Sequence, residues 1–156
     1  MNWDAVGAVA EILGALAVFL SLVYLATQTR NNTRALRSAA FHQVRESFSA
    51  VSLAMVQDPS MVALIQCVTN NDPDITDLEI ARYNYLLTTL VRRGESAFFQ
   101  SSDGALQMET WIGIRETLIL PLSTDVGRQW WNTVQSRFTR DYVNELTKAL
   151  SEMEST

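Results

Sequence analysis

The chain has one cysteine, Cys67, and one histidine, His42, among its 156 residues. A lone thiol excludes an internal disulfide and any Cys-x-x-Cys motif, which fits a reducing compartment. With one residue of each kind, no paired His/Cys spacing for a zinc ion exists. Proline occurs three times and glycine six. There is no glycine-rich phosphate loop and no G-x-S-x-G elbow. Basic charge is also scarce: no Lys or Arg precedes Arg30. Residues 1–57 carry four arginines against three acids, a net of +1, and the remainder nets −6. An acidic body argues against nucleic acid, which needs a basic footprint. No alternating strand pattern with hairpin turns is found, and no internal repeat. No cofactor or metal is expected from this inventory.

What is present is an apolar run. VGAVAEILGALAVFLSLVYLAT, residues 6–27, contains one carboxylate, Glu11. Twenty-two residues make about 33 Å of helix, against a hydrocarbon core of ~30 Å. A buried soluble helix rarely stays apolar on all sides over six turns. A cleaved signal peptide calls for a basic start, and this chain begins Met-Asn-Trp-Asp. An interfacial helix needs a charged face. The run therefore reads as a transmembrane helix. Only Asp4 precedes it, whereas Arg30, Arg34 and Arg37 follow. The positive-inside rule places the N-terminus outside and the rest in the cytoplasm. Trp3 and Tyr24 sit near opposite ends, as interfacial aromatics do.

At roughly 100° per residue, Glu11 shares a face with Gly7, Gly14, Ala15, Val18 and Leu22. Ala10 and Gly14 add a small-xxx-small spacing. Small residues let helix backbones approach closely in lipid, and an acid there prefers a protein interior or water. Packing of several copies along Gly7, Ala10, Glu11, Gly14, Ala15 and Val18, or against another subunit, satisfies both facts. Two other readings stand beside it. If the span starts at Ile12, Glu11 lies at the headgroups. In a ring of copies, Glu11 could line a pore or carry protons.

The helix has no obvious stop at the bilayer edge. Leu36, Ala40, Val44, Phe48, Val51 and Met55 recur at three- and four-residue steps. One helix over about 3–57 is expected, bent or intact at the weak formers Asn31-Asn32-Thr33. Asp58-Pro59 resembles an N-cap and first helical residue, opening a helix to about Thr69. Thr76 and Glu79 have capping-box spacing, ahead of a face formed by Ile80, Tyr83, Leu87, Leu90, Ala97 and Phe98. A helix over about 105–119, ending before Pro121, should follow. Thr124 or Asp125 starts another, carrying Val126, Trp130 and Val134. Thr139 caps the last, built on Tyr142, Val143, Leu146 and Leu150. The fold class is all-α: a transmembrane anchor over 1–29, a juxtamembrane continuation over 30–57 and a cytoplasmic helical bundle over 58–156.

Chemically suggestive residues have plain structural readings. His42 lacks an orienting partner and a nucleophile. Cys67, among Leu64, Ile65 and Val68, suits a small apolar role. Asp72, Asp74, Asp77 and Glu79 lack the calcium-loop register and fit turns and caps. Arg92, Arg93 and Glu95 lie on the strongest amphipathic helix, where charge can face solvent or a partner. Ion pairs holding the bundle are an alternative, and a phosphate site is the least favoured reading. Trp111, Trp130 and Trp131 are core payload, or a surface for a partner.

Several landmarks resemble a family. The opening Trp3, Gly7-Ala8, Ala10-Glu11, Gly14-Ala15, Ser21-Leu22, Tyr24-Leu25-Ala26 and Gln28-x-Arg30-x-Asn32-Thr33 is one group. The middle Arg93-Gly94-Glu95-Ser96-Ala97-Phe98-Phe99-Gln100 and the late Gly127-Arg128-x-Trp130-Trp131 with Phe138 are the others. Together they resemble a widespread family of small bacterial single-span membrane proteins of unknown function. The resemblance implies a bacterial, membrane-anchored helical protein and imports no activity. The expectation is a non-enzymatic protein of the bacterial inner membrane whose partners are the bilayer and either further copies or a larger membrane complex. An oligomeric ion or proton pore ringed by Glu11 is the first alternative. A membrane-tethered ligand sensor or enzyme, with a pocket in the bundle, is the second.

Overall fold

The computed structural model describes residues 3–154, apart from the side chains of Ala5, Val6, Ala10 and Glu154. All regular structure among them is helical: α1 (Trp3–Gln57), α2 (Pro59–Thr69), α3 (Asp77–Ser102), α4 (Met108–Leu122), α5 (Asp125–Val134), a 3-10 turn (Gln135–Arg137) and α6 (Arg140–Glu154). The chain forms two compact units that meet within α1, the first ending at Ala39 and the second starting at Ala40.

In the first unit every described side chain is exposed. The helix runs through Asn31-Asn32-Thr33 without interruption. Among the described residues, the one helical stretch long and apolar enough to cross a membrane lies in α1. Its hydroxyls are satisfied from within: Ser21 donates to the Ala17 carbonyl at 2.8 Å, Thr27 to Val23 at 2.8 Å and Thr29 to Leu25 at 2.9 Å. Such back-bonding leaves no orphan donor on those residues, as an apolar solvent requires.

The second unit is a bundle around α3. Tyr83, Leu87, Leu90, Val91 and Ala97 of α3 are buried against Trp111, Leu118, Ile119 and Leu122 of α4. Trp130, Trp131 and Val134 of α5 and Tyr142, Leu146 and Ala149 of α6 complete that core. Of the stripe expected on α1, Ala40, Val44 and Val51 are buried and Phe48 and Met55 half-buried. Leu36, in the first unit, is exposed.

Local chemistry sets the element ends. The Asp58 carboxylate accepts from the Ser60 amide at 3.0 Å, with Pro59 in the first turn of α2. The capping box forms: Thr76 Oγ1 accepts from the Glu79 amide, and Glu79 Oε2 accepts from the Thr76 amide at 2.9 Å. Thr124 accepts from the Gly127 amide at 3.0 Å and opens α5. α3 ends into Gly104, whose φ of +71° is open to a residue without Cβ.

Two boundaries differ from expectation. α4 starts at Met108 rather than near 105, because the Ala105 and Leu106 amides both turn back to the Gln100 carbonyl at 2.8 Å. It also continues through Pro121 to Leu122. Proline removes one helical donor, but it falls in the last turn. There the fully buried Leu118 and Leu122 keep the chain winding against the core. The Pro121 carbonyl accepts from the Tyr83 hydroxyl at 3.2 Å and from Thr124 Oγ1 at 2.9 Å.

Candidate functional sites on the apolar helix and in the bundle

Two places merit attention: the apolar segment of α1, and an open cleft in the bundle.

On α1, Glu11, Gly14, Ala15 and Val18 are exposed, as is Gly7. The side chain of Ala10, the sixth residue of the expected packing face, lies outside the described residues. A Cβ added at Gly7 or at Gly14 would meet nothing within 4 Å. Nothing in the chain's own packing therefore calls for glycine at either point. The opposite side of the helix carries Val9, Leu13, Leu16 and Leu20, all at least half exposed. The helix thus has a thin side and a thick side. Glu11 is the only acid or base between Asp4 and Arg30.

In the bundle, the motif residues serve the fold. Gly94 lets α3 approach α4 and α6, since an added Cβ would run into Leu118 and the Tyr142 hydroxyl. Glu95 is a clasp. One carboxylate oxygen pairs with Arg92 at 3.0 Å, and the other accepts from the amide and hydroxyl of Thr139 at 2.9 and 3.0 Å. Thr139 is thus tied across to α3 at the start of α6. Arg92 also donates to the Arg137 carbonyl at 3.1 Å and lies over the Phe138 ring at 4.2 Å. These contacts give Arg92 and Glu95 the ion-pairing role in the bundle. Arg93 is half-buried, and its Nη1 has no hydrogen-bond partner.

The three tryptophans are corrected as a partner surface. Trp111, Trp130 and Trp131 are 1%, 8% and 3% exposed. Trp111 packs edge-on to Phe98 at 5.3 Å and meets Tyr142 at 5.9 Å, and Trp131 meets Phe138 at 5.6 Å. Burying rings of this size against one another contributes more than exposing them, which is why they line the core. Tyr142 is fully buried and donates to the Val91 carbonyl at 2.9 Å. Burial pushes its phenol well above the ordinary range, and it raises Tyr83 too.

The remaining polar candidates also have structural duties. His42 is exposed and edge-on to Phe41. Cys67 is half-buried. Asp72 accepts from the Asp74 amide at 3.0 Å, holding the turn before α3. The Thr76 amide and hydroxyl draw Glu79 below its ordinary value, and the Ser60 hydroxyl does the same to Asp58. Among the described residues no three His, Cys, Asp or Glu side chains are placed to hold a metal ion.

The cleft is the feature sequence reading missed. It has a volume of about 790 Å³ and lies among α1 (from Val44 to Met55), α2, α3, α4 and the start of α5. It exists because short side chains face each other there. Ser49 and Ser52 of α1 and Thr110, Gly113 and Thr117 of α4 all line it. Helices packed at the usual 8–10 Å separation need larger residues to fill the space between them. The spacing Thr110, Gly113, Thr117 and Pro121 on α4 was the available signal, a small-residue stripe on one helix face. Its meaning depended on what stood opposite, which the sequence alone leaves open. Three charged side chains border the cleft: Arg45, Asp125 and Arg128. Asp125 and Arg128 pair at 2.7 Å.

Comparison of the chain with family models, with curated proteins and with solved structures finds no match.

Proposed function

We propose that this is a non-enzymatic membrane-anchored protein. Its apolar helix crosses a bacterial inner membrane with the N-terminus outside and the bundle in the cytoplasm. It self-assembles, or serves as an accessory or scaffold subunit of a membrane complex, through the face of Gly7, Ala10, Glu11, Gly14, Ala15 and Val18. One observation carries this reading: the large apolar side chains Ile12, Leu13, Leu16, Phe19 and Leu20 are all more than half exposed. Nothing among the described residues covers them. An apolar surface of that extent marks a membrane or an interface. The two-sidedness of the helix supports the choice of face. Gly7 and Gly14 have open space where a neighbouring backbone would sit. The arginines at 30, 34 and 37 support the orientation, and the resemblance of the sequence landmarks supports the bacterial setting.

The test is disulfide trapping in native membranes, in the full chain carrying Cys67→Ser. Gly14→Cys, Ala15→Cys and Val18→Cys should give covalent dimers on mild oxidation, or bonds to a copurifying subunit. Leu13→Cys, Leu16→Cys and Leu20→Cys should give few, because thiols must bring their Cβ atoms within about 4 Å. Equal yields around the helix would overturn the choice of face. A strictly monomeric particle in mild detergent with no copurifying protein would overturn assembly itself.

A further inference from the structure

The open cleft has a chemistry of its own, independent of the membrane helix. Its walls are apolar and incompletely covered. Phe48, Met55, Ile65, Leu86 and Ile114 all line it, and all five are only half-buried although they pack on the core. Most of its hydroxyls, apart from those of Ser49 and Thr110, are already engaged. Ser52, Thr69, Thr117, Ser123 and Thr124 donate to backbone carbonyls three or four residues earlier in the chain. Their hydrogens are spent, and what they turn to a ligand is methyl or acceptor surface. The charged pair Asp125–Arg128 is neutral as a unit. That leaves Arg45. Its guanidinium rests 5.7 Å from the Phe41 ring centroid, and no carboxylate pairs with it among the described residues. The cleft is therefore an apolar chamber with one uncommitted cation at its edge.

Gly113 is a second, independent sign. It lies in the middle of α4 with no positive φ, and an added Cβ would meet nothing within 4 Å. Glycine weakens a helix interior, and no neighbour within the protein requires it here. Gly94 and Gly127, by contrast, are pressed against packed atoms. What the missing side chain of Gly113 preserves is the width of the cleft.

We propose that this cleft binds a single-chain amphipath: an alkyl body among Phe48, Met55, Ile65, Leu86 and Ile114, and an anionic head paired with Arg45. The volume lies within the ~300–1,000 Å³ of small-molecule sites. An alkyl chain matches walls that are mostly apolar, and an anion matches Arg45, the one cation there without a carboxylate partner among the described residues. A fatty acid carboxylate and a single-chain phospholipid share this chemistry.

The test uses the full chain in nanodiscs of zwitterionic lipid, with palmitate carrying a photoreactive group at the chain end. A lysophosphatidylglycerol labelled in the same way forms the second arm. Peptide mapping should place label on α1 near Met55 and on α4 near Ile114. The arm with the stronger labelling identifies the source of the head group. Gly113→Phe, whose ring enters the open space, should cut this labelling about tenfold or more, while Gly113→Ala should leave most of it. Arg45 is exposed, so Arg45→Gln should fold normally and weaken binding about threefold or more. Unlabelled palmitate should compete, and hexadecanol should compete less. Label confined to residues 6–27, or cleft labelling that Gly113→Phe leaves unchanged, would overturn the site. Hexadecanol competing as well as palmitate would overturn the anionic head. None of these outcomes depends on whether the membrane helix self-associates.

Discussion

Gly127→Ala and Gly113→Ala should shift stability in opposite directions, although both exchange a helical glycine for the best helix former. The helix-forming gain is about 0.5–1 kcal/mol in each case. At Gly113 nothing opposes it, because the added methyl enters open space. At Gly127 the methyl would run into the Pro121 carbonyl oxygen, and it would lie 2.9 Å from both Leu122 Cα and Thr124 Oγ1. Two of these obstacles are backbone and cannot rotate away, so the first turn of α5 must lift from the end of α4. Overpacking of this kind costs about 1–3 kcal/mol. Lifting also loosens the hydrogen bonds that the Pro121 carbonyl accepts from Tyr83 and Thr124, each worth about 1 kcal/mol. The clash outweighs the propensity, leaving Gly127→Ala less stable by about 1–3 kcal/mol and Gly113→Ala more stable by about 0.5–1 kcal/mol. In a bundle of this size 1 kcal/mol moves Tm by about 3–6 °C. Thermal unfolding of the full chain in mild detergent, followed by near-ultraviolet circular dichroism, reports the packed aromatics directly. A Gly127→Ala protein as stable as the parent, or a destabilised Gly113→Ala protein, would refute this reasoning.

Trp111→Ala should cost about 3–5 kcal/mol, a large share of typical domain stabilities of about 5–15 kcal/mol. Equilibrium urea denaturation measures it. Acid should also destabilise the bundle. Asp58 and Glu79 sit below their ordinary values of 3.8 and 4.5 in the folded state. Their contribution is complete above those values and is lost as pH falls through the lower folded ones. Denaturation midpoints taken from pH 6 down to pH 2 should fall, and Glu79→Gln should flatten part of the slope. At the alkaline end the sign reverses. The buried phenols of Tyr83 and Tyr142 titrate above their ordinary value of 10. Their contribution is complete below that value and declines as pH rises beyond it, which absorbance of tyrosinate on unfolding will follow.

Element type and most helix starts were legible because the signals are local. Asp58-Pro59, Thr76 with Glu79, and Thr124 each satisfy orphan amides within three residues, so spacing alone locates them. The α1 stripe from Ala40 to Met55 was legible for a similar reason, since helical periodicity maps directly onto a buried face. Pro121 was misread because the local rule against proline was overridden by burial of Leu118 and Leu122, a tertiary effect. Thr139 was placed correctly at the start of α6, but the bonds that hold it run to Glu95, 44 residues away. The cleft was illegible for the same physical reason. A short side chain means a void only when the residue facing it is also short, and no sequence spacing encodes which helices face each other.

One consequence remains at the corner between α4 and α5. A carbonyl oxygen has two lone pairs, and at Pro121 both are occupied, by the hydroxyl of Tyr83 on α3 and by that of Thr124, the residue that caps α5. Adding or deleting a residue between Pro121 and Thr124 would displace the Thr124 hydroxyl, and one between Leu118 and Pro121 would rotate the oxygen away from Tyr83. This short connection has its length set to the residue.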